Sequence, residues 1–80
     1  MTRRGQVMTF GIDGQADISG ILLGGARVEI ECKTGSGKLD KAQTHFKNMI
    51  LSWGGCYIEA RDVVQTENEL REFLEKKERA

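Results

Sequence analysis

Two β-type segments joined by a pair of glycines constrain this chain more than any other feature. Aliphatic and β-branched residues lie on both sides of Gly24-Gly25, within the stretch from Asp17 to Lys33. This pattern predicts two strands connected by a glycine turn. Because side chains alternate along a strand, the second segment has one apolar and one charged face. The apolar face carries Val28, Ile30 and Cys32, and the charged face carries Glu29, Glu31 and Lys33.

Asp17 decides how the charged face is interpreted. A row of charges alone is also typical of a solvated edge strand. A two-residue loop at Gly24-Gly25 would turn Asp17 toward the apolar side, where an ionised carboxylate is costly. A three-residue loop or a bulge shifts the pairing by one residue and sets Asp17 beside Glu31 or Lys33. We predict the three-residue loop or the bulge.

Asp17, followed by Glu31-x-Lys33 on the next strand, suits metal-dependent cleavage of phosphodiesters. Two carboxylates supply the hard oxygen ligands that Mg²⁺ or Mn²⁺ prefers, and they leave coordination positions open. Lys33, on the same face, is placed to orient a water molecule or to neutralise charge on the phosphate.

Further motifs at close spacing make the chain resemble a known family. They are GQADISG at residues 14–20, EIECKTGSGKL at residues 29–39, Gln43-x-x-Phe46, and GGCY at residues 54–57. Together they resemble the VRR-NUC (virus-type replication-repair nuclease) domain of the PD-(D/E)xK nuclease superfamily, in its stand-alone phage or bacterial type. The resemblance covers residues 10–75.

This resemblance implies a divalent-metal-dependent DNA endonuclease that uses Mg²⁺ or Mn²⁺. The implied catalytic residues are Asp17, Glu31, Lys33 and Gln43, and the implied metal ligands are Asp17, Glu31 and the backbone carbonyl of Cys32. It also implies a symmetric homodimer that cuts branched DNA such as four-way junctions. The residues alone leave Gln43 as either a capping residue, in the Asp40-x-x-Gln43 box, or part of the site.

One part of the family pattern has no counterpart. No acidic residue on a preceding helix is found, so either the chain begins after that helix or a third carboxylate comes from elsewhere, such as a second copy of the chain. A second metal has no support. The alternative function is therefore a catalytically weak or inactive nucleic-acid-binding module of the same fold. A restriction enzyme is a weaker possibility, since 80 residues leave little chain for reading base edges.

Composition sets the remaining expectations. The 80 residues predict one domain, 1–80, with a flexible arm at residues 1–5, and the net charge is zero. DNA-binding charge must then be concentrated on one surface, and we assign it to Lys38, Lys41, Arg3 and Arg4. Two cysteines are too few for a zinc site and are expected to be buried thiols in a reducing compartment. Without a membrane-length apolar run or a signal peptide, we expect a cytoplasmic protein of a bacterial or phage-infected cell.

The fold class predicted is α+β, a small mixed sheet of about four strands with two helices, similar to the PD-(D/E)xK core without its usual N-terminal helix. Strands are predicted at residues 6–12 and 56–60 besides the central hairpin, and a helix at residues 40–53. Leu39, Ala42, Phe46, Met49, Ile50 and Trp53 form the expected buried stripe of this helix. A second capping box, Thr66-x-x-Glu69, predicts the start of a final helix with Leu70, Phe73 and Leu74 on its apolar side.

Overall fold

A computed structural model describes residues 14–79 of the chain. Its elements are β1 (Ile18–Ile21), β2 (Arg27–Cys32), α1 (Lys41–Ser52), β3 (Cys56–Ala60) and α2 (Val63–Arg79). The sheet has the order β1-β2-β3, with β1 antiparallel and β3 parallel to β2. The predicted α+β class, with a mixed sheet and two helices, is confirmed. The strand expected at residues 6–12 and the arm at residues 1–5 lie outside the described residues.

The hairpin between β1 and β2 has the odd loop that the sequence predicts. Ile18 lies opposite Ile30, and the residues flanking the loop at 23–25 are joined by a backbone hydrogen bond of 2.7 Å. Both glycines of the loop have positive φ angles, 98° and 99°, which residues with a side chain rarely adopt. The three-residue loop is confirmed. Continuing the register by one residue sets Asp17 opposite Glu31.

The two helices cover opposite faces of the sheet, and the central strand is β2. On the face that carries Glu29 and Glu31, Phe46 and Ile50 of α1 pack against Tyr57. On the other face, Leu70 and Phe73 of α2 pack against the cluster Val28, Cys56 and Ile58. The edge-strand interpretation of the charged row is therefore wrong, because the row lies on a central strand beneath a helix.

Helix α1 begins and ends where the sequence indicates. The Gln43 amide donates to Asp40 Oδ1 (2.8 Å), and the Asp40 amide donates to Gln43 Oε1 (3.0 Å), so the predicted capping box is formed. Gly54 ends the helix with φ 82°. The expectation that Trp53 belongs to the buried stripe is wrong, since its side chain is 79% exposed. Trp53 is the C-cap residue and lies beyond the part of α1 that covers the sheet.

Helix α2 begins earlier than predicted, at Val63 rather than near Thr66. Asp62 Oδ1 accepts a hydrogen bond from the Gln65 amide (2.8 Å), and Gln65 Oε1 accepts one from the Arg61 amide (2.7 Å). The helix thus starts at an Asp62-x-x-Gln65 pair directly after β3. Helix α2 begins at this pair and not at Thr66-x-x-Glu69, because Gln65 Nε2 also donates to the Glu59 carbonyl (3.0 Å). This contact attaches the start of the helix to the sheet.

The two cysteines differ in environment. Cys56 is buried, as expected, but Cys32 is exposed. Cys32 is the last residue of β2 and lines an open groove between the end of this strand and the start of α2. Within residues 14–79, neither helix has the length and apolar character needed to cross a membrane.

Candidate active site

Asp17 and Glu31 form the centre of the candidate site as neighbours across the β1–β2 hairpin. The Cys32 amide donates a hydrogen bond to Asp17 Oδ2 (2.9 Å), which fixes the Asp17 carboxylate against the end of β2. Asp17 is exposed, whereas Glu31 is only 5% exposed. The pair therefore has one carboxylate at the surface and one beneath α1.

Gln43 links the buried carboxylate to the predicted lysine. Its Nε2 donates to Glu31 Oε2 (3.1 Å), and its Oε1 accepts from Lys33 Nζ (3.0 Å). The same Oε1 accepts from the Asp40 amide in the capping box. The two interpretations of Gln43 that the sequence leaves open are thus compatible, because one side chain caps α1 and contacts both Glu31 and Lys33.

Lys33 is held by the sheet as well as by Gln43. Its amide donates to the Ala60 carbonyl (2.9 Å), which extends the parallel pairing one residue beyond β2. Its Nζ lies 3.7 Å from Glu31 Oε2, and the Lys33 side chain is 16% exposed. The ammonium is therefore positioned from two directions and largely shielded from solvent.

The surroundings of Glu31 disfavour its charge. Burial is the main cause that raises the pKa of Glu31, and the negative charge of Asp17 raises it further. The Lys33 ammonium acts in the opposite direction and lowers the pKa of Glu31. Burial and the repulsion from Asp17 disfavour the charged form of Glu31 more than Lys33 favours it. A bound cation would compensate for this negative charge.

Two buried side-chain oxygens have no hydrogen-bond partner among residues 14–79: Glu31 Oε1 and Tyr57 Oη. Such orphaned groups are rare in folded proteins, and a bound ion, a water molecule, local strain or a catalytic role can account for them. Burial raises the pKa of Tyr57 to about 12, and the largest charge acting in the same direction is that of Glu31. The negative charge of Glu31 therefore disfavours ionisation of the Tyr57 hydroxyl.

A divalent cation fits this donor set. Mg²⁺ is commonly held by only one or two carboxylates while it keeps several waters. Asp17 and Glu31 offer two such carboxylates at the end of β2, and Glu31 Oε1 is an oxygen that still lacks a partner in the described part of the chain. Within residues 14–79, no three His, Cys, Asp or Glu side chains converge as metal ligands. The predicted set of two carboxylates and one carbonyl does not require such a group.

The predicted DNA contacts divide between the described and undescribed parts of the chain. Lys38, in the loop before α1, and Lys41, the first residue of α1, are both exposed. Arg61 holds this loop by donating to the carbonyls of Gly35 and Gly37, each at 2.7 Å. Arg3 and Arg4 lie outside the described residues.

Tyr57 and Glu59 of strand β3 lie next to the site, although the sequence does not predict a role for them there. Glu59 lies opposite Glu31 in the β2–β3 register and pairs with Lys47 at 2.9 Å. Tyr57 shares this face, and the Lys47 ammonium lies 5.9 Å from the centre of its ring. Strand alternation would have put Tyr57 and Glu59 on one side, but only the register of β3 places that side next to Glu31.

Two grooves of the described surface are not lined by Asp17 or Glu31. One groove of about 460 Å³ is lined by apolar residues of the opposite face, including Ile18, Ile30 and Val63, and it meets the candidate site at Cys32 and Lys33. Another, of about 400 Å³, lies between the hairpin glycines and Trp53.

No protein-family model, curated protein or solved structure matches the chain. The motifs and the geometry around Glu31 are therefore the features of this chain that bear on its function.

Proposed function

We propose that this protein is a divalent-metal-dependent DNA endonuclease that hydrolyses phosphodiester bonds. The observation that carries the proposal is the state of Glu31. This carboxylate is buried, lies beside Asp17, has one oxygen without a partner among residues 14–79, and is joined through Gln43 to Lys33. A purely structural glutamate needs neither the second carboxylate nor the unused oxygen.

Each residue of the site has a distinct role in this proposal. Asp17, Glu31 and the Cys32 carbonyl hold Mg²⁺ or Mn²⁺. When bound, such a cation polarises the phosphate and lowers the pKa of a water molecule. Lys33 stabilises negative charge that develops on the phosphate during the reaction. Gln43 keeps the carboxylate and the ammonium at fixed positions through its two hydrogen bonds.

We further propose a homodimer that acts on branched DNA in the cytoplasm of a bacterial or phage-infected cell. Two sites related by a two-fold axis suit the cutting of opposite strands of a four-way junction. Lys38, Lys41, Arg3 and Arg4 are the proposed phosphate contacts. Leu23 (100% exposed) and Trp53 (79% exposed), at the end of the sheet away from Glu31, support a partner subunit. Light scattering of the purified chain measures this directly, and a monomeric mass would contradict the dimer.

The nuclease proposal is tested by cleavage of end-labelled duplex, flap and four-way-junction DNA with Mg²⁺ or Mn²⁺. The test variant is Lys33→Ala, and the matched control is Lys77→Ala, which removes a lysine of α2 on the opposite face of the sheet. We expect junction-selective cutting by the wild type and by Lys77→Ala, and strongly reduced cutting by Lys33→Ala. Equal activity of the two variants would overturn the role of Lys33.

The second candidate is a nucleic-acid-binding module of the same fold with weak or no catalysis. It is motivated by the missing acidic residue of the family pattern, which leaves Asp17 and Glu31 as the two carboxylates predicted for the metal. A gel shift on junction DNA without cleavage, in the presence of Mn²⁺, would support this module and exclude the nuclease.

A further inference from the structure

The Tyr57 hydroxyl is a buried polar group that the proposed mechanism leaves unused. Tyr57 is 9% exposed, and its oxygen has no hydrogen-bond partner among the described residues. A buried phenol normally has a partner for its hydroxyl. The other buried side-chain oxygen in this state, within residues 14–79, is Glu31 Oε1.

These two oxygens belong to the same side of the sheet, beneath the same helix. Tyr57 lies opposite Glu29 in the β2–β3 register, and Glu31 is the next residue of β2 on that face. Phe46 of α1 packs in the same cluster as Tyr57, and Gln43 of α1 contacts Glu31. A donor that lacks an acceptor and an acceptor that lacks a donor thus occupy neighbouring positions.

We propose that Tyr57 is a positioning residue for Glu31: its hydroxyl donates a hydrogen bond to Glu31 Oε1, directly or across one water molecule, when that carboxylate holds a divalent cation. The inference rests on the proposed function. A carboxylate oxygen has more than one lone pair, so it accepts a hydrogen bond and binds a cation together. Carboxylates that bind metals are commonly held in this way.

The Tyr57 ring is fixed well enough to serve this role. Its ring packs with Phe46 and Ile50 on the inner side of α1, and the Lys47 ammonium lies 5.9 Å from the ring centre. Lys47 is itself anchored by Glu59 at 2.9 Å. Because the ring has little freedom, the hydroxyl is presented to the carboxylate side without a large loss of conformational entropy on binding.

The test measures Mn²⁺ affinity by titration calorimetry on the full 80-residue chain without DNA, together with thermal unfolding of the metal-free protein. For Tyr57→Phe we expect the Kd for Mn²⁺ to rise by about tenfold or more. Its metal-free melting temperature should stay equal or rise, because an unpaired buried hydroxyl has been removed. The matched control is Ile50→Val in the same cluster, which should lower the melting temperature and leave the Mn²⁺ affinity unchanged.

Glu31→Gln distinguishes failure of this inference from failure of the proposed function. If Tyr57→Phe binds Mn²⁺ like the wild type while Glu31→Gln does not bind it, Tyr57 has no positioning role and the proposed metal site stands. If the wild type does not bind Mn²⁺, or Glu31→Gln binds it equally well, both proposals are overturned. A Tyr57→Phe protein that loses melting temperature as Ile50→Val does, with unchanged affinity, would give the hydroxyl a structural role only.

Discussion

Glu29 and Glu31 are two buried glutamates on the same face of the same strand. Among residues 14–79, only Glu29 has a hydrogen-bond partner for each of its carboxylate oxygens. Glu29 is fully buried and Glu31 is 5% exposed. Glu29 accepts from Ser19 Oγ at 2.7 Å and from Arg27 Nε at 2.5 Å. Glu31 has one oxygen paired with Gln43 and the other without a partner among residues 14–79.

The difference is the basis for proposing a structural role for Glu29 and a functional role for Glu31. Both oxygens of Glu29 are used by residues of the hairpin itself, Ser19 opposite it and Arg27 two residues before it. Removal of a partner from such a buried charge is destabilising, because the charge is then left without compensation. Glu31 lies beside a second acid, Asp17, and its pKa is raised by burial and by that neighbour. The fold tolerates an incompletely paired charge there, which is expected at a site that binds something else.

The largest expected effect is on cleavage, and it tests the comparison directly. Glu31→Gln should reduce the rate of junction cleavage with Mn²⁺ on the order of 10³-fold or more, because loss of metal-based stabilisation is worth several kcal/mol. Glu29→Gln is the matched control: the same substitution on the same face should leave the rate within a few-fold of wild type. A comparable loss of rate in both variants, with both folded by circular dichroism, would break the distinction.

The next effect concerns Gln43, the partner that Glu31 has and Glu29 lacks. Gln43→Ala should reduce the cleavage rate by about 10- to 100-fold, as removal of a side chain that orients a metal ligand typically does. Its loss of stability should be about 1 kcal/mol, since it also removes half of a capping box.

Gln65→Ala supplies the control for the capping contribution. Gln65 holds the corresponding position at the start of α2, where its Nε2 contacts the Glu59 carbonyl rather than a carboxylate of the candidate site. We expect a similar loss of stability and full cleavage activity. If Gln65→Ala lost as much activity as Gln43→Ala, the effect at Gln43 would reflect helix capping alone.

The sequence predicts the part of the site that depends on strand parity and local capping. The position of Asp17 follows from the odd loop at Gly24-Gly25, because one residue more or less would turn its side chain to the other face. Gln43 follows from the Asp40 box, which is local. Both signals depend on a few neighbouring residues, so they can be recognised without knowledge of the packing.

The remaining features depend on packing between distant segments. The pairing of β3 with β2 places Tyr57 and Glu59 beside the site, and nothing within residues 56–60 specifies that register. The predicted start of α2 is wrong because two capping sequences lie four residues apart and only contact with β3 distinguishes them. The exposure of Cys32 depends likewise on where α2 stops covering the sheet.

The free energy of unfolding gives a smaller expected effect. We expect this effect to have opposite signs for Glu29→Gln and Glu31→Gln. Glu29→Gln should lower the free energy of unfolding by about 1.5 to 3 kcal/mol, because it weakens two hydrogen bonds to a buried charge. Metal-free Glu31→Gln should be equally or more stable than the wild type at neutral pH, since it removes a buried charge whose pKa is raised. Chemical denaturation measures both values. Addition of Mn²⁺ should stabilise the wild type and Glu29→Gln but not Glu31→Gln.

A Glu31→Gln protein that is clearly less stable than the metal-free wild type would mean that Glu31, like Glu29, is a structural carboxylate. Failure of Glu29→Gln to lose stability would equally remove the contrast, because its partners Ser19 and Arg27 would then contribute nothing measurable.

The smallest expected effect is the pH dependence of the metal-free protein, measured as the stability of the wild type minus that of Glu31→Gln. The pKa of Glu31 in the folded protein is raised above its ordinary value, mainly by burial. Between these two pKa values the folded state binds more protons than the unfolded state, so stability falls as pH rises. The difference should therefore favour the wild type most at acidic pH, decline as pH passes through the raised pKa of Glu31, and stay constant above it. A wild-type advantage over Glu31→Gln that grew with rising pH would show that the ionised Glu31 is stabilised by the fold, and the reason for assigning it a cation would be lost.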